Sequence, residues 1–196
     1  MPVTFPTPKL IIFDCDGVLV DSEPVSNQVM VDNLARHGLS LTLDRAMQLF
    51  VGGTMPGVMQ QAIALGADLH DGWVAEIYGE IYTALEAGVA LIAGVSDLLA
   101  LLDQNDIPTC VASNGSEDKM RITLGQNGLW QRFHPTAMFS AHALGVAKPE
   151  PGLFLAAASH YGLQARDCLV VEDSATGALA AARPGLRRLG YAPDGG

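Results

Sequence analysis

Short apolar runs alternate with longer amphipathic segments along most of the chain. The run from Leu10 to Phe13 is too short for a helix and rich in β-favouring residues, which indicates a strand buried on both faces, as in a parallel sheet. The same pattern predicts further strands at 107–112, 136–140, 168–171 and 186–191, and helices at 95–102, 117–127, 151–161 and from 174 to about 183. Strands and helices that alternate at this spacing imply an α/β fold with a parallel sheet and right-handed crossovers.

One block interrupts this alternation, because nothing between residues 24 and 90 has the pattern of a strand. Helices are predicted there instead, at 27–37, 43–50, 56–65 and 72–87. Apolar residues recur at every fourth position in the last of these helices: Trp73, Ile77, Ile81 and Leu85. We therefore predict a core domain formed by residues 1–22 and 91–196 and an inserted all-helical domain at 23–90.

Two aspartates follow the first predicted strand. Because strand side chains repeat with a period of two, Asp14 and Asp16 are expected to leave the end of the strand on about the same side. Gly17 then allows the backbone to turn sharply or to approach a ligand closely. Two neighbouring carboxylates repel each other unless a cation or a proton lies between them, so this stretch indicates a reactive site.

Polar side chains also follow two further predicted strands, and a lysine stands on a loop before the second of them: Ser113 and Asn114, Glu172 and Asp173, and Lys148. The carboxyl ends of parallel strands meet at one edge of a sheet, so these residues are expected to converge with the aspartates. Several carboxylates suit Mg²⁺, and hydroxyl, amide and ammonium groups supply donors for a phosphoryl group. A carboxylate nucleophile beside a carboxyl acid/base would complete a phosphoryl-transfer site.

Composition and charge narrow the classes of partner. A chain of 196 residues, 49% hydrophobic and 16% charged, is expected to form one soluble domain or a core with a small insert. The net charge of −10 argues against nucleic acid and anionic membranes as partners. It leaves a small phosphorylated substrate open, because a bound metal can reverse the field locally.

Compartment and metal type follow from the cysteines, histidines and apolar runs. Cys15, Cys110 and Cys168 lie in or beside apolar runs without CxxC spacing, so they are predicted to be buried thiols in a reducing cytosol. Residues 1–8 lack signal-peptide features and no apolar run approaches about 18 residues, so we expect a cytoplasmic protein and favour a monomer. The histidines show no metal-ligand spacing and are predicted to be surface or loop residues: His37, His70, His134, His142 and His160.

Four segments of the chain, in order, resemble the motifs of the haloacid dehalogenase superfamily: FDCDGVLVDSE, VASNGS, AKPEP and LVVEDSATGA. The resemblance spans residues 9–182 and is greatest to the branch of small phosphatases and β-phosphoglucomutase-like enzymes. It implies a Rossmann-like core, with a parallel sheet flanked by helices, and a helical cap inserted after the first strand that closes on the substrate and excludes water.

The resemblance also implies a role for each site residue. Asp14 would attack the phosphorus and form an aspartyl-phosphate, and Asp16 would protonate the leaving alkoxide and then take a proton from the hydrolytic water. Three residues would hold the phosphoryl group: Ser113, Asn114 and Lys148. Mg²⁺ would be bound by Asp14, the Asp16 carbonyl oxygen and Asp173, with Glu172 either a direct ligand or in contact with one.

The residues weigh against some members of the superfamily. Dehalogenating members lack the acid that Asp16 supplies, and the ion pumps require membrane helices. A phosphomutase holds a second phosphate in its cap, where the mutase branch resembles K-G-V-S-R; this chain has Val51-Gly52-Gly53-Thr54-Met55 there, and Ser26 where mutases tend to have histidine. These departures favour a phosphatase, and Ser113-Asn114-Gly115 followed by Lys119-Met120 resembles 6-phosphogluconate phosphatase-like members.

Each motif, taken by itself, is also compatible with a purely structural role. A DxD sequence is commonly a solvated turn, Ser113-Asn114-Gly115 a turn with an Asx bond, and Glu172-Asp173 a helix cap. An EF-hand starting at Asp14 is excluded, because it would need a glycine at Leu19. A catalytically silent binding module on the same fold is the competing hypothesis from another functional class.

Two further departures from the family pattern affect the structure. Members usually have an aspartate where Gly152 stands, and we expect its loss to affect the start of a helix and stability. The segment after Arg183 is shorter than the family's further strand and helix, so the chain is expected to be truncated or to leave a sheet edge uncovered.

Overall fold

Five strands form one parallel sheet in the computed structural model, which describes residues 6–50 and 54–192. The strands follow the order β3-β2-β1-β4-β5 across the sheet, and each neighbouring pair is parallel. Their bounds are β1 Leu10–Phe13, β2 Thr109–Ser113, β3 Met138–Ser140, β4 Cys168–Glu172 and β5 Arg187–Gly190. The predicted α/β fold class is confirmed.

Helices make up most of the remaining described chain. Four lie in the block without strands: α1 Glu23–Arg36, α2 Leu43–Phe50, α3 Met55–Ala64 and α4 Trp73–Glu86. Six follow this block along the chain: α5 Val95–Gln104, α6 Glu117–Gly125, α7 Trp130–Phe133, α8 Ala141–Leu144, α9 Gly152–His160 and α10 Ala175–Ala182. The periodicity did not predict α7, α8 or the 3₁₀ turn Ala165–Asp167, because one turn is too short to show a helical repeat.

Strand β1 is the centre of the core. All four of its residues are buried, between β2 on one side and β4 on the other. Helix α9 packs against β1, β2 and β3, and α10 packs against β4 and β5. The predicted two-faced burial of this strand is confirmed, and it brings the residue after Phe13 to the middle of the sheet edge.

Strand β2 begins two residues later than predicted. The backbone N–H of Ile107 donates to the Leu102 carbonyl oxygen and so completes the end of α5. Pro108 has no N–H to donate, although its carbonyl oxygen accepts from Ile11. The sheet ladder therefore starts after this proline, and Ser113 becomes the last residue of the strand.

Strand β5 forms one edge of the sheet and pairs with β4. Arg187 is half-buried and Arg188 is exposed, because β5 lies at this edge. The Arg187 guanidinium donates to the Pro6 carbonyl oxygen, and Leu189 is 57% exposed. The edge position of β5 thus accommodates two neighbouring arginines.

The chain divides into two compact units, one formed by Met1–Asp21 and Leu91–Gly196 and the other by Ser22–Ala90. The described residues of the second unit form α1 to α4, and α1 packs against α4. The buried Asn33 side chain accepts a 2.6 Å hydrogen bond from Trp73 Nε1 and donates to Glu76. That this unit acts as a cap domain stays a prediction.

Two smaller expectations can be compared directly with the structure. The three cysteines are free thiols and buried, as predicted. None of the described helices has the length and apolar character needed to cross a bilayer.

Candidate active site

The end of β1 places Asp14 at the centre of the sheet edge. Its backbone N–H donates to the Val171 carbonyl oxygen at 2.9 Å, which extends the ladder with β4 by one residue. The residue is only 8% exposed, so its carboxylate lies within the protein and not in bulk solvent. The following turn is closed by a 2.9 Å bond from Gly17 N to the Val20 carbonyl oxygen, with Gly17 at φ +73°.

Lys148 connects two of the predicted acids. Its Nζ donates to Asp14 Oδ1 at 2.6 Å and to Glu172 Oε2 at 2.7 Å, and its side chain is 3% exposed. Burial alone would lower the pKa of this lysine, but the two carboxylates raise it on balance, so the ammonium form is retained. Three residues from distant parts of the chain thus form one buried charged cluster.

Asn114 holds the loop that carries Lys148. Its Oδ1 accepts from the backbone N–H of Lys148 at 2.9 Å, and its Nδ2 donates to the carbonyl oxygen of the same residue at 3.3 Å. The Asn114 side chain is therefore engaged with the protein, and the phosphate-binding role of this residue stays a prediction. Ser113 Oγ accepts from Gly115 N at 3.0 Å and still carries a hydrogen that it can donate.

The end of β4 presents Glu172 and Asp173 to the same edge. Glu172 Oε1 accepts from the backbone N–H of Ser174 at 3.1 Å and from its hydroxyl at 2.7 Å, while Oε2 accepts from Lys148. Both carboxylate oxygens are therefore held in place. Glu172 is buried and Asp173 is exposed, so the two acids meet different environments.

Two glycines leave space for these carboxylates. A Cβ on Gly17 would lie 2.0 Å from Asp173 Oδ2, and a Cβ on Gly177 would lie 1.9 Å from Glu172 Oε2. Gly17 was predicted for its turn, and the structure adds that it makes room for a site residue. Gly177 was not recognised in the sequence, although its place in the fourth motif was the available signal.

Burial raises the pKa of Asp14 to about 7. The Lys148 ammonium opposes this shift, whereas the charges of Glu172 and Asp16 add to it. An ionised Asp14 is therefore costly in the protein alone, and further positive charge near it would favour the carboxylate form that a nucleophile needs.

The acids at the site fit a hard divalent cation. One carboxylate oxygen from each of Asp14, Glu172 and Asp173 lies within 4.8 Å of the other two. Because Mg²⁺ takes oxygen ligands at about 2.1 Å, ligands on opposite sides of the ion are about 4 Å apart, which is close to this spacing. Three carboxylates facing the Lys148 ammonium also leave an excess of negative charge that a divalent cation would balance.

Asp16 is not one of these three carboxylates, and it pairs with a residue that had no predicted role. Lys119 Nζ, from α6, lies 2.9 Å from Asp16 Oδ1, and the two side chains are 20% and 22% exposed. Sequence reasoning used Lys119 only as part of a resemblance. Its contact with Asp16 joins α6 to the turn after β1, which spacing along the chain does not reveal.

The histidines lie elsewhere. None belongs to the candidate metal group found among the described residues. Four are exposed, whereas His37 is half-buried and lies, like His70, within bonding distance of Glu76 in the helical unit.

Several known proteins are similar to this chain over most of its length. A profile of the haloacid dehalogenase-like hydrolase family matches residues 8–185. 6-Phosphogluconate phosphatase from Escherichia coli (strain K12) is 27% identical over 188 residues, which cover 95% of this chain and 83% of that protein. A haloacid dehalogenase-like protein of unknown function from Agrobacterium tumefaciens has a crystal structure that matches with a TM-score of 0.85 and 33% identity, over 94% of this chain and 82% of that one.

A further crystal structure, of a HAD family hydrolase from Deinococcus radiodurans, contains bound phosphate and sodium. It matches with a TM-score of 0.77 and 28% identity, over 93% of this chain and 80% of that one. The predicted superfamily is confirmed, and so is the prediction of an enzyme of the phosphoric monoester hydrolase type, since named relatives are phosphatases. This chain belongs to the haloacid dehalogenase-like hydrolase family.

Proposed function

We propose that this protein is a Mg²⁺-dependent phosphatase that hydrolyses a small phosphorylated metabolite, a sugar phosphate or an organic-acid phosphate, through an aspartyl-phosphate. The observation that carries the proposal is the buried contact of Lys148 Nζ with Asp14 Oδ1 at 2.6 Å and with Glu172 Oε2 at 2.7 Å. In this contact the carboxylate that we propose as the nucleophile lies beside a cation, at the edge of a parallel sheet, which is where such folds bind ligands.

In the first step, a carboxylate oxygen of Asp14 forms a bond to phosphorus as the bond from phosphorus to the substrate oxygen breaks. Asp16 gives its proton to that leaving oxygen, so that an alcohol departs. Lys148 and the Ser113 hydroxyl offer positive charge and a hydrogen-bond donor to the phosphoryl oxygens. The negative charge of the transferring group is thereby stabilised.

In the second step, water attacks the phosphorus of the aspartyl-phosphate. Asp16, now a carboxylate, takes a proton from this water, and the bond from phosphorus to Asp14 breaks to release inorganic phosphate. Each acid then has the protonation state with which it began.

Asp14, Asp173 and the Asp16 carbonyl oxygen would hold Mg²⁺, with Glu172 as a further ligand or in contact with one. The bound cation would supply positive charge that favours ionised Asp14 and balances the phosphoryl oxygens. Gly17 and Gly177 keep space for the two acids at the end of β4.

The substrate class rests on the relatives and on the acidic chain. A relative that covers nearly the whole chain is named a 6-phosphogluconate phosphatase, and a net charge of −10 favours small substrates over nucleic acid or membranes. We also propose that the protein is cytoplasmic, since its three cysteines are free and buried. A monomer is the oligomeric state that we propose. Specificity is assigned to the helical unit as a cap.

The test is release of phosphate from para-nitrophenyl phosphate with and without Mg²⁺. We expect hydrolysis by the wild-type protein, its loss on addition of EDTA, and its loss in Asp14→Asn. The matched control is Asp118→Asn, which alters an exposed aspartate of α6 and should leave the rate unchanged. No hydrolysis by the wild-type protein would leave the silent binding module as the better explanation.

A second assay separates hydrolysis from phosphoryl rearrangement. The cap loop that argued against a mutase includes residues 51–53, which lie outside the described residues. β-Glucose 1-phosphate should release phosphate, and its conversion into glucose 6-phosphate would instead identify a phosphomutase.

A further inference from the structure

Lys119 is held so that its side chain reaches the proposed acid/base. Ser116 caps α6, and its hydroxyl accepts the backbone N–H of Lys119 at 3.1 Å. This places Lys119 in the first turn of the helix, at the end nearest the sheet edge, with its Nζ 2.9 Å from Asp16 Oδ1. The other lysine at this edge, Lys148, is engaged with Asp14 and Glu172.

The two oxygens of Asp16 have different surroundings. Oδ1 contacts Lys119, whereas Oδ2 lies 3.6 Å from the point where a Cβ on Gly115 would stand. That same point lies 3.2 Å from Ser113 Oγ and 3.6 Å from Lys119 Cδ. Gly115 therefore keeps open a space on which Oδ2 of Asp16, the lysine stem and the Ser113 hydroxyl converge.

We propose that Lys119 is a positioning residue for Asp16, an inference that rests on the proposed function. By holding Oδ1, the ammonium group directs Oδ2 toward the substrate side of the site. In the first step the proton moves from Oδ2 to the leaving oxygen as the bond between that oxygen and phosphorus breaks. Lys119 keeps all its protons and contacts the carboxylate that remains.

An ordinary ion pair between two partly exposed side chains is the competing explanation, and such pairs contribute little to the stability of the fold. The two explanations differ in their dependence on the leaving group. Para-nitrophenolate departs without a proton, whereas an alkoxide from a sugar phosphate requires one. A lysine that positions the proton donor should therefore matter for the sugar phosphate and hardly for the aryl phosphate.

The experiment compares kcat/KM, which reports the steps up to release of the leaving group and not the later hydrolysis of the aspartyl-phosphate, for glucose 6-phosphate and para-nitrophenyl phosphate in the wild-type protein, Lys119→Met and Lys119→Arg. We expect Lys119→Met to lower kcat/KM about 10²-fold for glucose 6-phosphate and less than about threefold for the aryl phosphate. Lys119→Arg should restore most of the loss, because it keeps the charge. Arg121→Met is the matched control, since it removes an exposed cation from the same helix and should not change either rate.

A second comparison tests whether Lys119 acts through Asp16. In an Asp16→Asn background, Lys119→Met should add little further loss with glucose 6-phosphate, because the positioned proton is already absent. The inference would be overturned by equal losses on both substrates, by no loss on either, or by an effect of Lys119→Met that is as large in Asp16→Asn as in the wild-type protein. Hydrolysis by the wild-type protein would still support a phosphatase in each of these cases. A wild-type protein inactive on para-nitrophenyl phosphate would instead contradict the proposed function.

Discussion

Gly177→Ala should damage the active site even though it replaces glycine by a better helix-forming residue. Gly177 lies in the first turn of α10, where alanine is favoured over glycine by about 1 kcal/mol. The added Cβ, however, would lie 1.9 Å from Glu172 Oε2, 2.0 Å from its Cδ and 2.5 Å from Oε1. Ordinary contact begins at 3.4 Å, so the carboxylate must move by about 1.5 Å.

The cost of this movement comes from the hydrogen bonds that hold Glu172. Its Oε2 bond to Lys148 is 2.7 Å long, and loss of one hydrogen bond to a charged group costs about 1.5–3 kcal/mol. This exceeds the gain in helix propensity, so we expect a net destabilisation of about 0.5–2 kcal/mol. Activity should fall further, by about 10²-fold, because a displacement near 1 Å at a catalytic site has an effect of that size.

Three measurements assess the variant: urea unfolding, kcat on para-nitrophenyl phosphate, and the Mg²⁺ concentration at half-maximal rate, which should rise. Gly125→Ala is the matched control, because Gly125 also lies in a helix of the same unit but has nothing within 4 Å of its Cβ position. It should gain up to about 1 kcal/mol and keep its activity. If Gly177→Ala matched this control in both stability and rate, the role given to Glu172 would be wrong.

Three other changes test separate parts of the structure. The pKa of Asp14 is raised from 3.8 to about 7, so without metal the ionisation of Asp14 destabilises the folded protein as the pH rises through that range. Mg²⁺ should therefore raise Tm more at about pH 8 than at about pH 5.5. An equal rise at both pH values would contradict this reasoning. Hydrogen bonds from two histidines and Asn33 lower the pKa of Glu76 to about 2. The ionised carboxylate therefore stabilises the fold at pH values above its ordinary pKa, and this stabilisation is lost as the pH falls toward about 2. Glu76→Gln should lower Tm at neutral pH and make Tm fall less steeply toward about pH 2, whereas Glu86→Gln should do neither. Gly152→Asp restores the acid usual in the family, but its Cβ would lie 3.0 Å from Val146 Cγ2. Tm should therefore rise only when Val146→Ala is added to make room for the Cβ. A rise of Tm in the single variant would contradict this reasoning.

Sequence patterns predicted the features that depend on local chemistry. The strand ending at Phe13 is apolar throughout and is followed at once by Asp14, so both the burial of the strand and the position of Asp14 at its carboxyl end followed from the residues themselves. The ordered motifs then predicted that four chain segments meet at one edge of the sheet. Strand β2 begins later than predicted because the N–H of Ile107 bonds the end of α5 and Pro108 has no N–H to donate to a neighbouring strand.

Features that depend on three-dimensional packing were not visible in the sequence. The space that Gly177 leaves for Glu172 requires α10 to start against the end of β4. The Asn114 side chain bonds the Lys148 backbone because two loops meet at the sheet edge, and no pattern in the sequence indicates this contact. The pairing of Lys119 with Asp16 likewise joins α6 to the turn after β1.

The central claim is that Asp14 becomes covalently phosphorylated, and acid-quenched reactions with ³²P-labelled substrate test it most directly. We predict label on the wild-type protein that hydroxylamine removes, as expected for an acyl phosphate. Asp14→Asn should carry no label, whereas Asp16→Asn should retain it for longer, because the water that hydrolyses the intermediate lacks its base. Hydrolysis of substrate with no label on the wild-type protein, or label that persists in Asp14→Asn, would contradict the proposed mechanism.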